Sequence, residues 1–115
     1  MIYMYQYKNI NQGQILKVSL DPTKGHEQSG WRPALVVSNN EFNKYNGGII
    51  KVVPITSNTK PFPLHLPLPY NLATSGVVEL EHERALDLGT RSYKFVETVS
   101  EEFLEDVLDH IRLTY

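Results

Sequence analysis

The 115-residue sequence contains no cysteine. This absence excludes a disulfide framework, a thiolate zinc site and a cysteine nucleophile, and it suits a reducing compartment. Long hydrophobic runs are missing too, because no apolar stretch approaches the ~20 residues that span a bilayer. The first residues also lack the basic start and apolar run of a secretory signal. We therefore expect a cytoplasmic protein.

The length fits one domain, since domains commonly hold ~100–150 residues. The sequence has no internal repeat, low-complexity tract or interdomain linker. We predict a single domain over residues 1–115, in which the polar, tyrosine-rich residues 1–12 form an irregular lead-in.

The net charge of −2 is unevenly distributed. Residues 1–60 carry seven Lys/Arg and three Asp/Glu, a net of +4, whereas residues 61–115 carry four and ten, a net of −6. Such asymmetry indicates nucleic-acid contact by the basic part. A solvated acidic helix in the second half is the alternative explanation.

Alternating or continuous apolar positions predict several short strands. Prolines at positions 63 and 67 place one of these strands at a sheet edge, because proline donates no ladder hydrogen bond. Residues 21–31 are predicted as a polar loop, and residues 39–48 as a loop with one helical turn at 41–45. The predicted strands are residues 15–20, 34–37, 49–55, 63–68, 77–81 and, less regularly, 94–96.

One helix is predicted to begin after Ser100, whose hydroxyl caps free amides and is followed by two glutamates. Val99 and Leu104 fit a hydrophobic staple across this start. Short strands with one terminal helix predict a mainly β fold, a small barrel. The apolar face of the helix comprises Phe103, Leu104, Val107, Leu108 and Ile111.

Three motifs occur in order along the chain. The first is GQI at residues 13–15 followed by DPTKGHEQSGWRP at 21–33. VVPITS follows at 52–57, and GVV at 76–78 precedes RALD at 84–87. They resemble the signature of the MazF/PemK toxin family, which begins G-[DE]-[IV] and D-P-[TV]-x-G-x-E-Q-x-G-x-R-P. The resemblance covers roughly residues 12–112, and the ordered motifs make it highly specific.

The resemblance implies an SH3-like plug-shaped barrel with a C-terminal helix, assembled as a homodimer. It also implies the toxin of a type II toxin–antitoxin system, an endoribonuclease that cleaves single-stranded mRNA at specific sequences. Neither metal nor cofactor is expected, and the products are a 2′,3′-cyclic phosphate and a 5′-hydroxyl. A cognate MazE/PemI-like antitoxin is expected to occupy the RNA groove.

Metal-free RNA cleavage needs a base, an acid and a cation that stabilises the phosphate charge. Arg32 suits the cationic role because its planar fork matches phosphate oxygens and stays charged. The hydroxyl of Thr56 can orient a phosphate oxygen or the attacking hydroxyl. In the resembled family the matching arginine and threonine are the central catalytic pair. Outside the motif, Arg32 would be a loop arginine paired with Glu27 and Thr56 an ordinary strand-end residue.

Acid–base candidates come from the same resemblance. His26 matches the histidine of the GHEQ run in PemK-type members, and imidazole titrates near neutrality. Glu81 stands where PemK-type members have an aspartate proposed as general base. Two departures exist: Glu79 replaces an arginine, and His82 replaces a common glutamine. Taken singly, each of these groups would be a solvated side chain.

The general acid stays open at this point, because Glu79 cannot donate to phosphate as arginine does. Either histidine at position 26 or 82 supplies it, or Arg32 works with Thr56 alone.

Further polar and aromatic positions around the motifs are RNA-binding candidates. Lysines would meet phosphates, amides would read base edges, and Trp31 would stack or else plug the space under the loop. For each residue plain loop surface is the alternative. The candidates are Thr23, Lys24, Glu27, Gln28, Trp31, Ser57, Asn58, Lys60 and His82.

Two other functions remain in competition. A CcdB-like toxin of the same fold poisons DNA gyrase by binding, and it needs no Arg/Thr pair. A catalytically silent relative that binds only RNA or an antitoxin is the second, kept open by Glu79.

Overall fold

A computed structural model of the protein describes residues 10–20, 30–58 and 62–115. Within these ranges the chain forms seven β-strands, two α-helices and a 3-10 helix at Leu80–His82. The strands are β1 Gln14–Ser19, β2 Trp31–Val36, β3 Ile49–Thr56, β4 His65–Pro67, β5 Val77–Glu79, β6 Arg84–Asp87 and β7 Tyr93–Thr98. The α-helices are α1 Asn40–Tyr45 and α2 Glu101–Arg112.

The central strand of the fold is β3. All strand pairs are antiparallel, and the hydrogen-bonded path runs β4-β5-β3-β2-β1-β7. The last two residues of β3 pair with β5, whereas its first four pair with β6. The eight residues of β3 therefore contact three strands, and its C-terminal end lies between β2 and β5.

The predicted mainly β architecture with a terminal helix is confirmed, and β4 is an end strand as its prolines predicted. The helical turn predicted at 41–45 is confirmed as α1, which is capped by the side chain of Asn39 on the amide of Phe42 at 2.8 Å. Two predictions were incomplete. The strand predicted over 77–81 ends at Glu79, and the next three residues form the 3-10 helix. After residue 81 one strand was predicted, at 94–96, whereas the structure has β6 and β7; β6 was missed because Leu86 is its one buried residue.

The strands do not close into a complete barrel. Across the described ranges β4 and β7 end the path without pairing with each other. A side chain links their neighbourhoods instead: the carboxylate of Glu97 on β7 accepts hydrogen bonds from the segment between β4 and β5. These come from the amides of Ala73 at 3.0 Å and Thr74 at 2.7 Å, and from the Thr74 hydroxyl at 2.7 Å. In place of the predicted closed barrel, the structure has an open sheet, and the Glu97 carboxylate connects its last strand to the segment between β4 and β5.

Apolar side chains fill both faces of the curved sheet. One cluster lies under α2 and takes Leu35, Val53 and Val78 from the sheet, together with Val107 and Ile111 from the helix. The opposite cluster contains Leu16, Val18, Val36, Ile50, Val52 and Leu86, and Ile10 packs into it from the chain before β1. Continuous apolar runs in β2 and β3 reflect this double burial.

Helix α2 begins as its sequence predicted. The hydroxyl of Ser100 accepts from the amide of Phe103 at 3.1 Å, and the predicted apolar face packs into the first cluster. Gly13 allows the close approach: its φ is +92°, and a Cβ there would lie 3.3 Å from Leu104 Cδ2. Among the described residues, no helix is long and apolar enough to cross a bilayer.

The Glu97 contact makes the stability of the fold depend on pH. Partial burial raises the pKa of Glu97, but the hydrogen bonds from Thr74 and Ala73 outweigh it and hold this pKa below its ordinary value of 4.5. Since the unfolded chain then binds more protons, stability rises with pH through this range. We expect the contribution to be fully present above pH 4.5 and lost as pH falls through the lowered pKa.

Glu97→Gln is therefore expected to cost about 1–2 kcal/mol of unfolding free energy at pH 7, after allowance for solvent access. The difference from wild type should shrink in urea titrations below pH 4. Glu105→Gln, at an exposed position in the middle of α2, is the matched control and should behave as wild type. A Glu97→Gln deficit that is unchanged at pH 3 would contradict this assignment.

Candidate functional site

A groove of about 580 Å³ lies at the C-terminal end of β3. Arg32 from β2 stands on one side, and the 3-10 helix and β6 form the other. The groove is lined by Leu20, Arg32, Pro54, Ile55, Thr56, Glu79, Glu81, His82, Glu83 and Arg84.

Strand register explains why Arg32 and Thr56 meet here. Ala34 pairs with Pro54 in the β2–β3 ladder. Extending that register by two residues along each strand places Arg32 beside Thr56. Arg32 is exposed and Thr56 half-buried. An exposed arginine and a half-buried threonine therefore line the same groove, and their side chains can both donate hydrogen bonds to a phosphate.

The hydroxyl of Thr56 is oriented by its own turn. Its Oγ1 accepts a hydrogen bond from the amide of Asn58 at 3.1 Å. Because that contact uses a lone pair, the hydroxyl proton is left to donate to a phosphate oxygen. Gly76 packs directly behind, with φ at +124°, and a Cβ there would lie 2.2 Å from the Thr56 carbonyl oxygen. The glycine of the third motif thus permits the backbone position of Thr56.

Two carboxylates stand on the opposite side of the groove, with side chains of Glu79 and Glu81 that are 22% and 24% exposed. Oε2 of Glu81 lies 2.7 Å from Nε2 of His65 and 3.6 Å from Nε2 of His82. The His82 side chain is 62% exposed, whereas that of His65 is 15% exposed and lies behind the groove. Glu81 therefore has one oxygen engaged by imidazoles.

The charge of the lining is mixed, with two arginines, three glutamates and one histidine. Glu83 is held by the phenol of Tyr115, which donates a hydrogen bond to its carboxylate. That bond, together with the negative charge, raises the pKa of Tyr115 above its ordinary value. Arg32 and Arg84 are the two cations of this lining that suit phosphate.

The positions predicted as functional divide into three groups. Arg32, Thr56, Glu81 and His82 converge on the groove. Trp31, Ser57 and Asn58 lie beside it without lining it; the indole Nε1 of Trp31 is buried and has no hydrogen-bond partner among the described residues. The remaining predicted positions fall outside the described residues, namely Thr23, Lys24, His26, Glu27, Gln28 and Lys60.

Sequence reasoning missed three residues at this site. His65 entered only as part of the strand predicted over 63–68, Arg84 only as part of the RALD motif, and Glu83 not at all. Cross-strand pairing of His65 with Glu79 is the structural fact that brings the histidine here. No spacing rule reveals it, because 13 residues lie between the two along the chain.

One group of side chains at this site has the residue types of a cation site, namely His65, Glu79 and Glu81. Their donor atoms all lie within 4.8 Å of one another, and imidazole and carboxylate are both metal ligands. The 2.7 Å contact between His65 and Glu81 also has the length of a charge-assisted hydrogen bond, which requires no ion.

Comparison with known proteins identifies the family. Residues 11–115 match the model of the PemK-like, MazF-like toxin of type II toxin–antitoxin systems. The chain is 37% identical over 108 residues to the Escherichia coli endoribonuclease PemK, covering 90% of this chain and 80% of that protein. It is 34% identical over 113 residues to the endoribonuclease toxin ChpB of E. coli K12, covering 91% and 93%. The chain therefore belongs to the family of PemK-like, MazF-like toxins.

Solved structures agree with this assignment. MazF from Deinococcus radiodurans superposes with a TM-score of 0.78 at 32% identity, over 91% of this chain and 94% of that chain. A MazE–MazF complex from the same organism superposes with a TM-score of 0.77 at 28% identity, over 91% and 93%. The family predicted from the three motifs is confirmed, and the endoribonuclease names of the relatives support the predicted enzymatic class.

Proposed function

We propose that this chain is the toxin of a type II toxin–antitoxin system, a sequence-specific endoribonuclease that cleaves single-stranded mRNA without a metal. The products are a 2′,3′-cyclic phosphate and a 5′-hydroxyl. The observation that carries the proposal is the convergence of Arg32, Thr56 and Glu81 on one groove. Together they offer a cation, a hydroxyl donor and a carboxylate base, which suit attack by a ribose hydroxyl on its own phosphate.

Each group takes one role in this reaction. Glu81 removes the proton of the 2′-hydroxyl, and the freed oxygen forms a bond to phosphorus. Arg32 and Thr56 donate hydrogen bonds to the non-bridging oxygens, whose negative charge grows in the transition state. The bond from phosphorus to the 5′-oxygen breaks, and that oxygen takes up a proton from an acid. Arg84, on the same lining, adds a second cation for the phosphate backbone.

His26 is assigned as the acid in preference to His82. The attacking and leaving oxygens lie roughly in line through phosphorus, so the base and the acid belong on opposite sides. His82 lies 3.6 Å from the Glu81 carboxylate, on the side of the base. His26 precedes Arg32 by six positions in the sequence and lies outside the described residues. His82 is then an RNA-binding residue.

The acid assignment predicts selective rescue. His26→Ala should slow cleavage of ordinary RNA by about 10²–10⁴-fold, the usual contribution of a positioned acid. On a substrate with sulfur in place of the 5′-bridging oxygen, the variant should approach the wild-type rate, because a thiolate leaves without a proton. His82→Ala is the matched comparison. Rescue of His82→Ala and not of His26→Ala, measured by single-turnover kinetics, would reverse the two roles.

The remaining functional residues are assigned to substrate binding. Thr23, Lys24, Glu27, Gln28 and Lys60 lie outside the described residues, whereas Trp31, Ser57 and Asn58 lie beside the groove at the ends of β2 and β3. We propose that they bind phosphates and base edges and so determine the cleavage sequence.

The chain is proposed to act in the cytoplasm as a single toxin domain over residues 1–115, paired as a homodimer. A MazE/PemI-like antitoxin that covers the groove would neutralise it. Sedimentation that shows only a 13.2 kDa species would contradict the dimer.

The central test is incubation of the purified protein with a long mixed-sequence RNA in EDTA, followed by mapping of cut sites and end groups. Cuts at one short sequence with cyclic phosphate and 5′-hydroxyl ends are the expected result. Intact RNA, with gyrase inhibition in a parallel supercoiling assay, would replace the proposal by a CcdB-like function. Intact RNA that is nevertheless bound would indicate a catalytically silent relative.

A further inference from the structure

The side chain of His65 contacts two carboxylates that line the groove, those of Glu79 and Glu81. His65 lies on β4 directly opposite Glu79 in the β4–β5 ladder. Its Nε2 is 2.7 Å from Oε2 of Glu81 and 3.8 Å from Oε2 of Glu79. Because its side chain is 15% exposed, the imidazole is largely shielded from water. A polar contact in such a place is stronger than one at the surface.

The contacts of the ring determine its tautomer. An ionised carboxylate only accepts hydrogen bonds, so Nε2 of His65 must carry a hydrogen that it donates to Glu81. Nδ1 is buried and finds no hydrogen-bond partner within the described parts of the chain. The Phe62 ring packs at 5.0 Å between centroids. Within the described residues, Nε2 is therefore the ring nitrogen that makes a hydrogen bond, and its acceptor is Glu81.

We propose that His65 is a positioning residue of the ribonuclease site, whose Nε2–H holds Oε2 of Glu81 so that Oε1 serves as the base for the ribose 2′-hydroxyl. The inference rests on the proposed function. Among the described residues, the polar contacts of Glu81 are those of Oε2 with the two histidines. Oε1 is therefore available to the substrate.

The hydrogen bond does two things for the reaction. It fixes the rotation of a carboxylate that would otherwise turn freely, and small misplacements of a catalytic group are costly in rate. It also places a donor between two neighbouring carboxylates, Glu79 and Glu81, whose charges repel. The 2′-hydroxyl proton moves to Oε1, His65 keeps its own hydrogen throughout, and the 5′-oxygen takes its proton from the acid. No oxidant, metal or further reactant is needed for this balance.

The test uses the full-length protein and three variants on one RNA substrate. His65→Ala removes the donor, whereas His65→Gln retains an amide N–H near the position of Nε2. His110→Ala, on α2 where His110 contacts Asp106, is the matched histidine control. Single-turnover rates are measured over a range of enzyme concentrations, which separates the cleavage rate at saturation from RNA binding, and thermal melting records whether each variant is folded.

We expect His65→Ala to lower the cleavage rate at saturation by about 10–100-fold and to leave the half-saturating enzyme concentration unchanged, because a misplaced carboxylate affects the reaction and not RNA binding. His65→Gln should recover most of the rate. His110→Ala should match wild type in both quantities. A purely structural role would lower the melting temperature and change neither quantity once the protein is folded. Wild-type values of both quantities in a folded His65→Ala would overturn the proposal while cleavage itself stands.

A spectroscopic readout covers the case in which His65→Ala fails to fold. In long-range ¹H–¹⁵N spectra, the Nε2 signal of His65 should shift in Glu81→Gln and stay in place in Glu102→Gln. Equal spectra in the two variants would overturn the contact in solution. Wild-type activity that is lost in EDTA and restored by Mn²⁺ would make the trio a metal site and overturn the positioning role. Failure of the wild type to cleave any RNA removes the proposed function and this inference together.

Discussion

Replacing Arg32 by alanine is expected to lower RNA cleavage by two or more powers of ten while the fold stays intact. The guanidinium is exposed at the groove, so its removal exposes no core. Its effect falls on the transition state, in which charge accumulates on phosphate oxygens, and losing one such preorganised donor commonly costs about 10²–10³-fold. Single-turnover cleavage of an RNA with one cut site measures this loss.

Thr56→Ala is expected to lose at least the same factor, because its hydroxyl is held by Asn58 and aimed by its turn. Arg32→Lys should recover little, since a point charge cannot donate two parallel hydrogen bonds. The control is Arg112→Ala, an exposed arginine on α2 paired with Asp109, which should leave cleavage unchanged. Near-normal rates in both Arg32→Ala and Thr56→Ala would remove the two residues from the active site.

A single methyl group at position 76 is expected to disrupt both stability and the site. In Gly76→Ala the new Cβ would stand 2.2 Å from the Thr56 carbonyl oxygen and 3.0 Å from its carbon. Those atoms are backbone, so β3 or the start of β5 must shift. The φ of +124° adds strain. We expect a loss of about 3 kcal/mol or more, seen as a fall in Tm of ~12 °C or more.

Two glycine controls separate strain from collision. Gly47 has a φ of +61°, and no atom lies within 4 Å of the place that a Cβ would take, so Gly47→Ala should cost only ~1–2 kcal/mol. Gly30 also has open space and should tolerate alanine still better. Any Gly76→Ala protein that remains folded should cleave RNA poorly, because the displaced backbone carries Thr56. Equal Tm values for Gly47→Ala and Gly76→Ala would contradict the collision.

The sequence predicted the elements with strong local signals. Ser100 and the two glutamates after it were sufficient to place the start of α2, and prolines in the segment before Leu68 identified the edge strand. The elements that were missed lack such signals. Strand β6 has one buried position, Leu86, so its sequence shows no alternation of apolar and polar residues. The 3-10 helix at Leu80–His82 continues directly from β5, and no residue of Val77–Glu79 marks the end of that strand.

The site was predictable as far as its motifs extend. Arg32 and Thr56 were identified from motif residues, and strand register then accounts for their meeting. The sequence shows glutamate at position 79, where the resembled family has arginine, but it does not show which side chains surround Glu79 in the fold. A donor reaches the neighbouring carboxylate from β4 through His65, a cross-strand relation that only the folded sheet creates.

The position of β3 determines how the groove can lose its shape. Each strand that pairs with it contributes a groove residue: Arg32 from β2, Glu79 from β5 and Arg84 from β6. Central strands exchange their amide hydrogens only through near-global opening, whereas peripheral loops and termini open at little cost. We therefore expect the strand residues that line the groove to keep their positions when an outer element frays, and to lose them only when the sheet itself opens. Partial unfolding at the periphery would then leave this part of the groove intact.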